Sequence, residues 1–206
     1  MSNTTAVAEH AESLALELHA GQAYYGTRDH FRRDFIDFHL RPGVQTIETL
    51  GGAADARATF WLHDAIEDTD MTLDGLAERG LPEGVIDGVD KLTWWPGQSY
   101  DEYLQRLAPL PQVNGLKIID SKRNLQAALE LKPHIDPEEY DIWVRQYAGN
   151  IVFLAPYFLE SGRSRPWSQF VIGQADRAQA ILDKQQRFGQ AAIPLATGLP
   201  RPSFAS

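Results

Sequence analysis

Apolar residues recur in this chain at three- and four-residue intervals from Ala6 to Phe188, punctuated by Gly, Pro and capping residues, with almost no strand-like alternation. Such periodicity leaves each segment one apolar stripe that only another helix can cover, so the expected fold class is all-α. The chain of 206 residues is long enough for one substantial core and short for two ordinary domains. Helices are expected over about 5–20, 35–50, 53–68, a short one capped by Thr72, 82–92, 100–108, 111–131, 137–160 and 166–188. Gly21 is a candidate left-handed cap closing the first. Residues 189–206, rich in Pro, Ala and Gly, are expected to form a flexible tail.

Composition narrows the function classes. Nineteen basic against 28 acidic residues give a net charge of −9, which argues against a general nucleic-acid or anionic-membrane surface. The chain has no cysteine, which removes disulfides and thiolate chemistry and fits a reducing compartment. Residues 1–12 lack the arrangement of a signal peptide, and the apolar run 151–159 is interrupted by Pro156 and too short to cross a bilayer. A cytoplasmic protein is expected.

One segment carries concentrated chemistry: His63-Asp64-Ala65-Ile66-Glu67-Asp68-Thr69. On a helix His63 and Glu67 share a face, as do Asp64 and Asp68, so metal-binding groups adjoin a water-activating acidic pair. A merely solvated acidic face would carry Lys or Arg, and 58–73 has none. A His-Asp pair cannot hold a divalent ion alone. His39, among Phe35, Ile36, Phe38 and Leu40, is a candidate further ligand, although a buried structural histidine would read the same way. Asp120 ends the apolar face Leu116-Lys117-Ile118-Ile119 and needs a counter-charge, which a metal or an ion pair with Lys117 or Arg123 would supply.

Taken together and in order, His39, His63-Asp64 with Glu67-Asp68-Thr69, and Lys117-Ile118-Ile119-Asp120 with Asn124 resemble the HD-superfamily alarmone hydrolases of the RelA/SpoT type. His19-Ala20-Gly21-Gln22 is similar to that family's H-x-G-Q segment, and Leu92-Thr93 to its L-T. Gly97-Gln98-Ser99-Tyr100 with Tyr103 is similar to a pattern of its small stand-alone members. The resemblance spans about 6–129.

It implies an HD-domain helical bundle core over 5–131. The segment 132–188 carries no matching motif and is expected to be an additional helical extension packed on the core, covering the pocket or forming a homo-oligomer interface. The resemblance implies that His39, His63, Asp64 and Asp120 bind one divalent ion, Mn²⁺ in most of the family, with Fe²⁺ or another transition metal also suited to two imidazoles and two carboxylates. Glu67 and Asp68 would be catalytic, orienting water and taking its proton, and Asn124 would lie near the nucleotide. Arg28, Arg32 and Lys122 are candidate phosphate contacts. The implied activity is release of pyrophosphate from the 3′-diphosphate of (p)ppGpp. The alternatives are an HD phosphohydrolase acting on another nucleotide phosphate ester and a non-catalytic nucleotide-sensing regulator. Two departures stand out: Ala23-Tyr24-Tyr25 replaces basic residues after the H-x-G-Q segment, and Phe35-Ile36-Asp37-Phe38-His39-Leu40 carries one extra residue and no adjacent proline.

Overall fold

The computed structural model describes residues 3–24 and 33–188. It divides into two compact units, the first ending at Pro96 and the second beginning at Gly97. Arg28, Arg32 and the tail 189–206 lie outside the described residues.

The first unit contains α1 (Asn3–Leu18), a two-residue antiparallel pair β1 (Ala23–Tyr24) and β2 (Arg33–Asp34), and a π-helical turn Ile36–Leu40. Then come α2 (Arg41–Thr49), α3 (Ala54–Leu62), α4 (Ala65–Asp68), α5 (Leu73–Glu78) and α6 (Glu83–Leu92). Helix α3 is the central element, with α1, α2 and α6 packed on it. Its residues Ala58, Thr59, Phe60, Trp61 and Leu62 are all buried, as an apolar sequence without a polar stripe requires. Gly21 does close α1 with φ +74°, and the Gln22 N–H donates back to the His19 carbonyl at 3.0 Å.

Two expected helices are each interrupted at a chemistry-bearing histidine. The expected helix 53–68 breaks at His63-Asp64. The His63 ring Nδ1–H donates to the Phe60 carbonyl at 2.7 Å, competing for an acceptor of the helix's last turn. Asp64 takes φ −97°, ψ −1°, and its carbonyl restarts the ladder by accepting from the N–H groups of Glu67 and Asp68. Within 35–50 the backbone instead makes the π turn that holds His39 before α2 begins, with Pro42 in the first turn of α2. A π turn spends one more residue per turn than an α-helix, so it absorbs the extra residue in this segment and re-aims the side chains.

The second unit contains α7 (Tyr100–Leu107), α8 (Pro111–Leu131), α9 (Pro137–Glu160) and α10 (Arg165–Phe188). Ser99 and Glu102 form a reciprocal capping box on α7, and Asp136 caps α9. Helix α8 packs along α9 and α9 along α10. A buried polar link ties three helices together: the Asn150 amide donates to the Tyr100 hydroxyl at 2.7 Å and to Ser121 Oγ at 3.1 Å. Trp143, Tyr147 and Phe158 belong to the core, whereas Tyr157 is 45% exposed and does not. Among the described residues, no helix is long and apolar enough to cross a membrane.

The α2–α3 contact is unusually close. A Cβ on Gly43 would lie 2.1 Å from Phe60 Cε1, and the Phe60 ring is fully buried against the His63 ring at 4.6 Å. Gly43→Ala is therefore expected to cost about 1–3 kcal/mol through overpacking, lowering the Tm by roughly 2–4 °C for each kcal/mol. Thermal unfolding of the variant measures this; an unchanged Tm would contradict so tight an approach.

Candidate metal centre

The two interruptions serve one local geometry. His39 Nε2 and His63 Nε2 face each other at 3.4 Å, and Asp64 Oδ2 lies 3.0 Å from His63 Nε2 and 3.5 Å from His39 Nε2. Both imidazoles are buried. The proton of neutral His63 is fixed on Nδ1 by the Phe60 carbonyl, so Nε2 presents a lone pair. His39 Nδ1 lies 3.1 Å from the Tyr24 hydroxyl, which can accept its proton and leave Nε2 likewise bare. Two lone pairs and a carboxylate then point at one another. That arrangement requires positive charge at their common point, supplied either by protons on the imidazoles or by a cation.

Asp120 on α8 is buried and held at both oxygens from its own helix. Asn124 Nδ2–H donates to Oδ1 at 2.7 Å, and Lys117 Nζ lies 2.7 Å from Oδ2. Burial alone would depress Lys117, but the Asp120 carboxylate and Tyr103 raise it well above its ordinary value, so it stays protonated. The ion pair considered for Asp120 is thus present. Within the first unit, the ligand atoms that converge are those of His39, His63 and Asp64. Imidazole nitrogens with carboxylate oxygens suit a transition metal better than Mg²⁺.

The acidic pair divides into two roles. Glu67 Oε1 accepts the backbone N–H of Trp94 at 2.7 Å, which ties α4 to the end of α6. Asp68 Oδ2 accepts from Gln22 Nε2–H at 3.1 Å, and Gln22 Oε1 lies 2.6 Å from His19 Nδ1. Burial, reinforced by the Asp64 charge and opposed by the Gln22 hydrogen bond, pushes the Asp68 carboxyl up to about 7. Burial also presses on Asp64, but wherever protons rather than a cation balance the cluster, the charge of His63 and the hydrogen bonds from both rings outweigh it and hold that carboxyl well below its usual range. Neighbouring carboxylates driven in opposite directions are a recurrent mark of a ligand beside a base. Thr69 secures the end of α4, its hydroxyl donating to the Ala65 carbonyl at 2.6 Å.

Among the candidate phosphate contacts, Lys122 is partly buried on α8, two residues and a different helix face from Asp120. Burial and the neighbouring Arg123 and Arg177 lower its pKa. Gln22 and Tyr24 were not foreseen as contacts of Asp68 and His39. The only sequence signal for Gln22 was its place in the H-x-G-Q segment, and Tyr24 had none.

Two imidazoles and a carboxylate converge within a helical unit, and comparison with solved structures bears on its fold. The chain is similar to a metazoan ortholog of SpoT, described as hydrolyzing ppGpp and playing a role in starvation responses. The two share a TM-score of 0.62 and 15% identity over 93% of this chain and 100% of that one. At that identity the likeness shows the fold alone, an all-α bundle. No family model matches the sequence, and no curated protein sequence matches it.

Two outcomes follow. Tyr24→Phe, by removing the acceptor that orients His39, is expected to weaken divalent-metal binding about 10- to 100-fold in calorimetry, with little change in the fold. The second concerns Asp68 in metal-free protein. Its folded pKa of about 7 stands above the ordinary 3.8, so between those values the folded state binds a proton that the unfolded state does not. The stability this group contributes is complete below about 4 and is lost as pH rises through 7. Denaturant unfolding from pH 4 to 8 should show the wild type losing stability relative to Asp68→Asn; parallel curves would contradict the raised pKa.

Proposed function

We propose that this protein is a metal-dependent phosphohydrolase that removes the 3′-diphosphate of (p)ppGpp as pyrophosphate. The observation that carries the proposal is the juxtaposition of His39, His63 and Asp64 with a partly buried acid, Asp68, whose pKa is near neutrality. Further support comes from the ordered motif resemblance and from the fold shared with a ppGpp hydrolase.

In this reading His39, His63, Asp64 and Asp120 hold one divalent ion, Mn²⁺ by resemblance. Such an ion, when bound, acidifies a water molecule and polarises a phosphoryl oxygen. The chain's own residues do the rest. Asp68 takes the proton from the attacking water as it adds to the phosphorus bearing the ribose 3′ oxygen, and a pKa near working pH suits that exchange. Cleavage of the 3′ O–P bond releases pyrophosphate, and a proton returns to the 3′ oxygen. Glu67, anchored on the Trp94 N–H, orients the water with Asp68. Asn124 holds Asp120 beside the nucleotide, and Arg28, Arg32 and Lys122 meet its phosphates. The protein acts in the cytoplasm on this small-molecule substrate.

One observation favours a second reading, hydrolysis of a different nucleotide phosphate ester. Where the family places cations after the H-x-G-Q segment, this chain has Tyr24, which is buried beside His39 and offers no charge to phosphate.

Incubating Mn²⁺-loaded protein with a nucleotide panel that includes ppGpp, and resolving the products by chromatography, separates these readings. Pyrophosphate with GDP is the expected product pair from ppGpp. Glu67→Gln and Asp68→Asn are expected to keep the metal and lower kcat by about 100- to 10,000-fold with KM little changed. Asp64→Asn should instead lower metal occupancy. Near wild-type turnover in Glu67→Gln, Asp68→Asn and the double variant would rule out the water-activating role.

A further inference from the structure

Two side chains just past α1, His19 and Gln22, form a polarised line that ends on the sequence-distant Asp68. His19, at the end of α1, is 1% exposed and lies against Phe35 with ring centroids 4.8 Å apart and planes tilted by 45°. Its Nδ1 lies 2.6 Å from Gln22 Oε1, while its Nε2 is buried with no hydrogen-bonding neighbour. Gln22 Nε2–H reaches Asp68 Oδ2 at 3.1 Å across 46 residues of sequence.

The direction of the line is fixed by chemistry. Above about pH 7 Asp68 is ionised and only accepts, so there Gln22 must turn its NH₂ towards Asp68 and its oxygen towards His19. That oxygen needs a donor, so the single proton of neutral His19 sits on Nδ1. Burial lowers the His19 pKa and keeps the ring neutral. The two ends of a glutamine amide have nearly the same shape, and packing alone cannot choose between them. His19 makes the choice: with the amide reversed, an amide N–H would face Nδ1–H and an amide oxygen would face the Asp68 carboxylate.

We propose that His19 and Gln22 are positioning residues for Asp68, His19 fixing the Gln22 amide so that it occupies Asp68 Oδ2 and leaves Oδ1 to take the proton of the attacking water. This rests on the reading of Asp68 as the proton acceptor. The Gly21 turn makes the line possible, because the Gln22 N–H bonds to the His19 carbonyl and holds the two residues in register.

Two measurements on the full-length protein test it. The first is ¹⁵N NMR of the His19 ring without added metal, at a pH above about 8 where Asp68 is ionised. The Nδ1–H tautomer is expected, and an Nε2–H ring would overturn the line whatever the catalytic activity. The second is steady-state kinetics of Mn²⁺-loaded protein on ppGpp. Gln22→Leu and His19→Leu are expected to lower kcat about 10- to 100-fold with KM and metal content unchanged. His19→Asn, whose amide N–H can stand where Nδ1–H stood, should recover most of the loss.

In an Asp68→Asn background, Gln22→Leu should cost nothing further, because its effect passes through the missing carboxylate. An equal additional loss in that background, or undiminished kcat in Gln22→Leu, would overturn the proposal. His19→Leu empties a buried site and risks the fold; Gln22 is only half-buried, so its variants decide the matter alone. If wild-type protein leaves ppGpp intact while the Nδ1–H tautomer is found, the proposed function fails and the hydrogen-bonded line stands.

Discussion

Two imidazole lone pairs and a carboxylate oxygen lie within 3.5 Å of one another around His39, His63 and Asp64. Like-charged or lone-pair-bearing atoms do not stay so close in a buried setting unless positive charge sits between them. Much of the first unit can be understood as the scaffolding for that contact. The Phe60 carbonyl fixes the His63 tautomer and in doing so breaks α3, which frees Asp64 to turn towards the two rings. The Tyr24 hydroxyl orients His39 from a two-residue strand whose partner leads directly into the π turn. Gly43 lets α2 approach Phe60 closely enough to support the ring from behind.

Asp68 shows how the same burial produces a different outcome a turn away. Asp64 shares the positive charge that the two histidines gather and stays ionised; Asp68, itself buried, meets Asp64 and Glu67, with Gln22 as its neutral donor, and is driven towards neutrality. One segment of six residues therefore holds two carboxylates whose pKa values are driven in opposite directions. The break at His63-Asp64 is what allows their side chains to have separate surroundings although they lie four residues apart.

The helical class, most helix limits and the His63-Asp64 and Glu67-Asp68 pairs were legible in the sequence, because apolar period, caps and local spacing are properties of neighbouring residues. Helix α8 falls at the expected 111–131, started by Pro111, and Thr72 caps α5 through the Gly75 N–H. The interruptions at His39 and His63 were not legible. Each arises where a side chain or an extra residue disturbs the backbone ladder, and propensity over a window averages that away. Taken alone, His39 read more readily as a structural histidine, and Asp120 equally well as the partner of Lys117; the latter pair does exist. Tyr24 and Gln22 could not be assigned from spacing, since their partners lie 15 and 46 residues away and are set by how α1, the strand pair and α4 come together.

Crystals soaked in Mn²⁺ and measured at the manganese absorption edge test the central claim most directly. The account predicts one anomalous peak bonded to Nε2 of both His39 and His63 and to carboxylate oxygens of Asp64 and Asp120. A peak elsewhere, or none while the two imidazoles keep the separation of 3.4 Å seen without metal, would mean that protons rather than a metal ion balance this cluster, and the account would be contradicted.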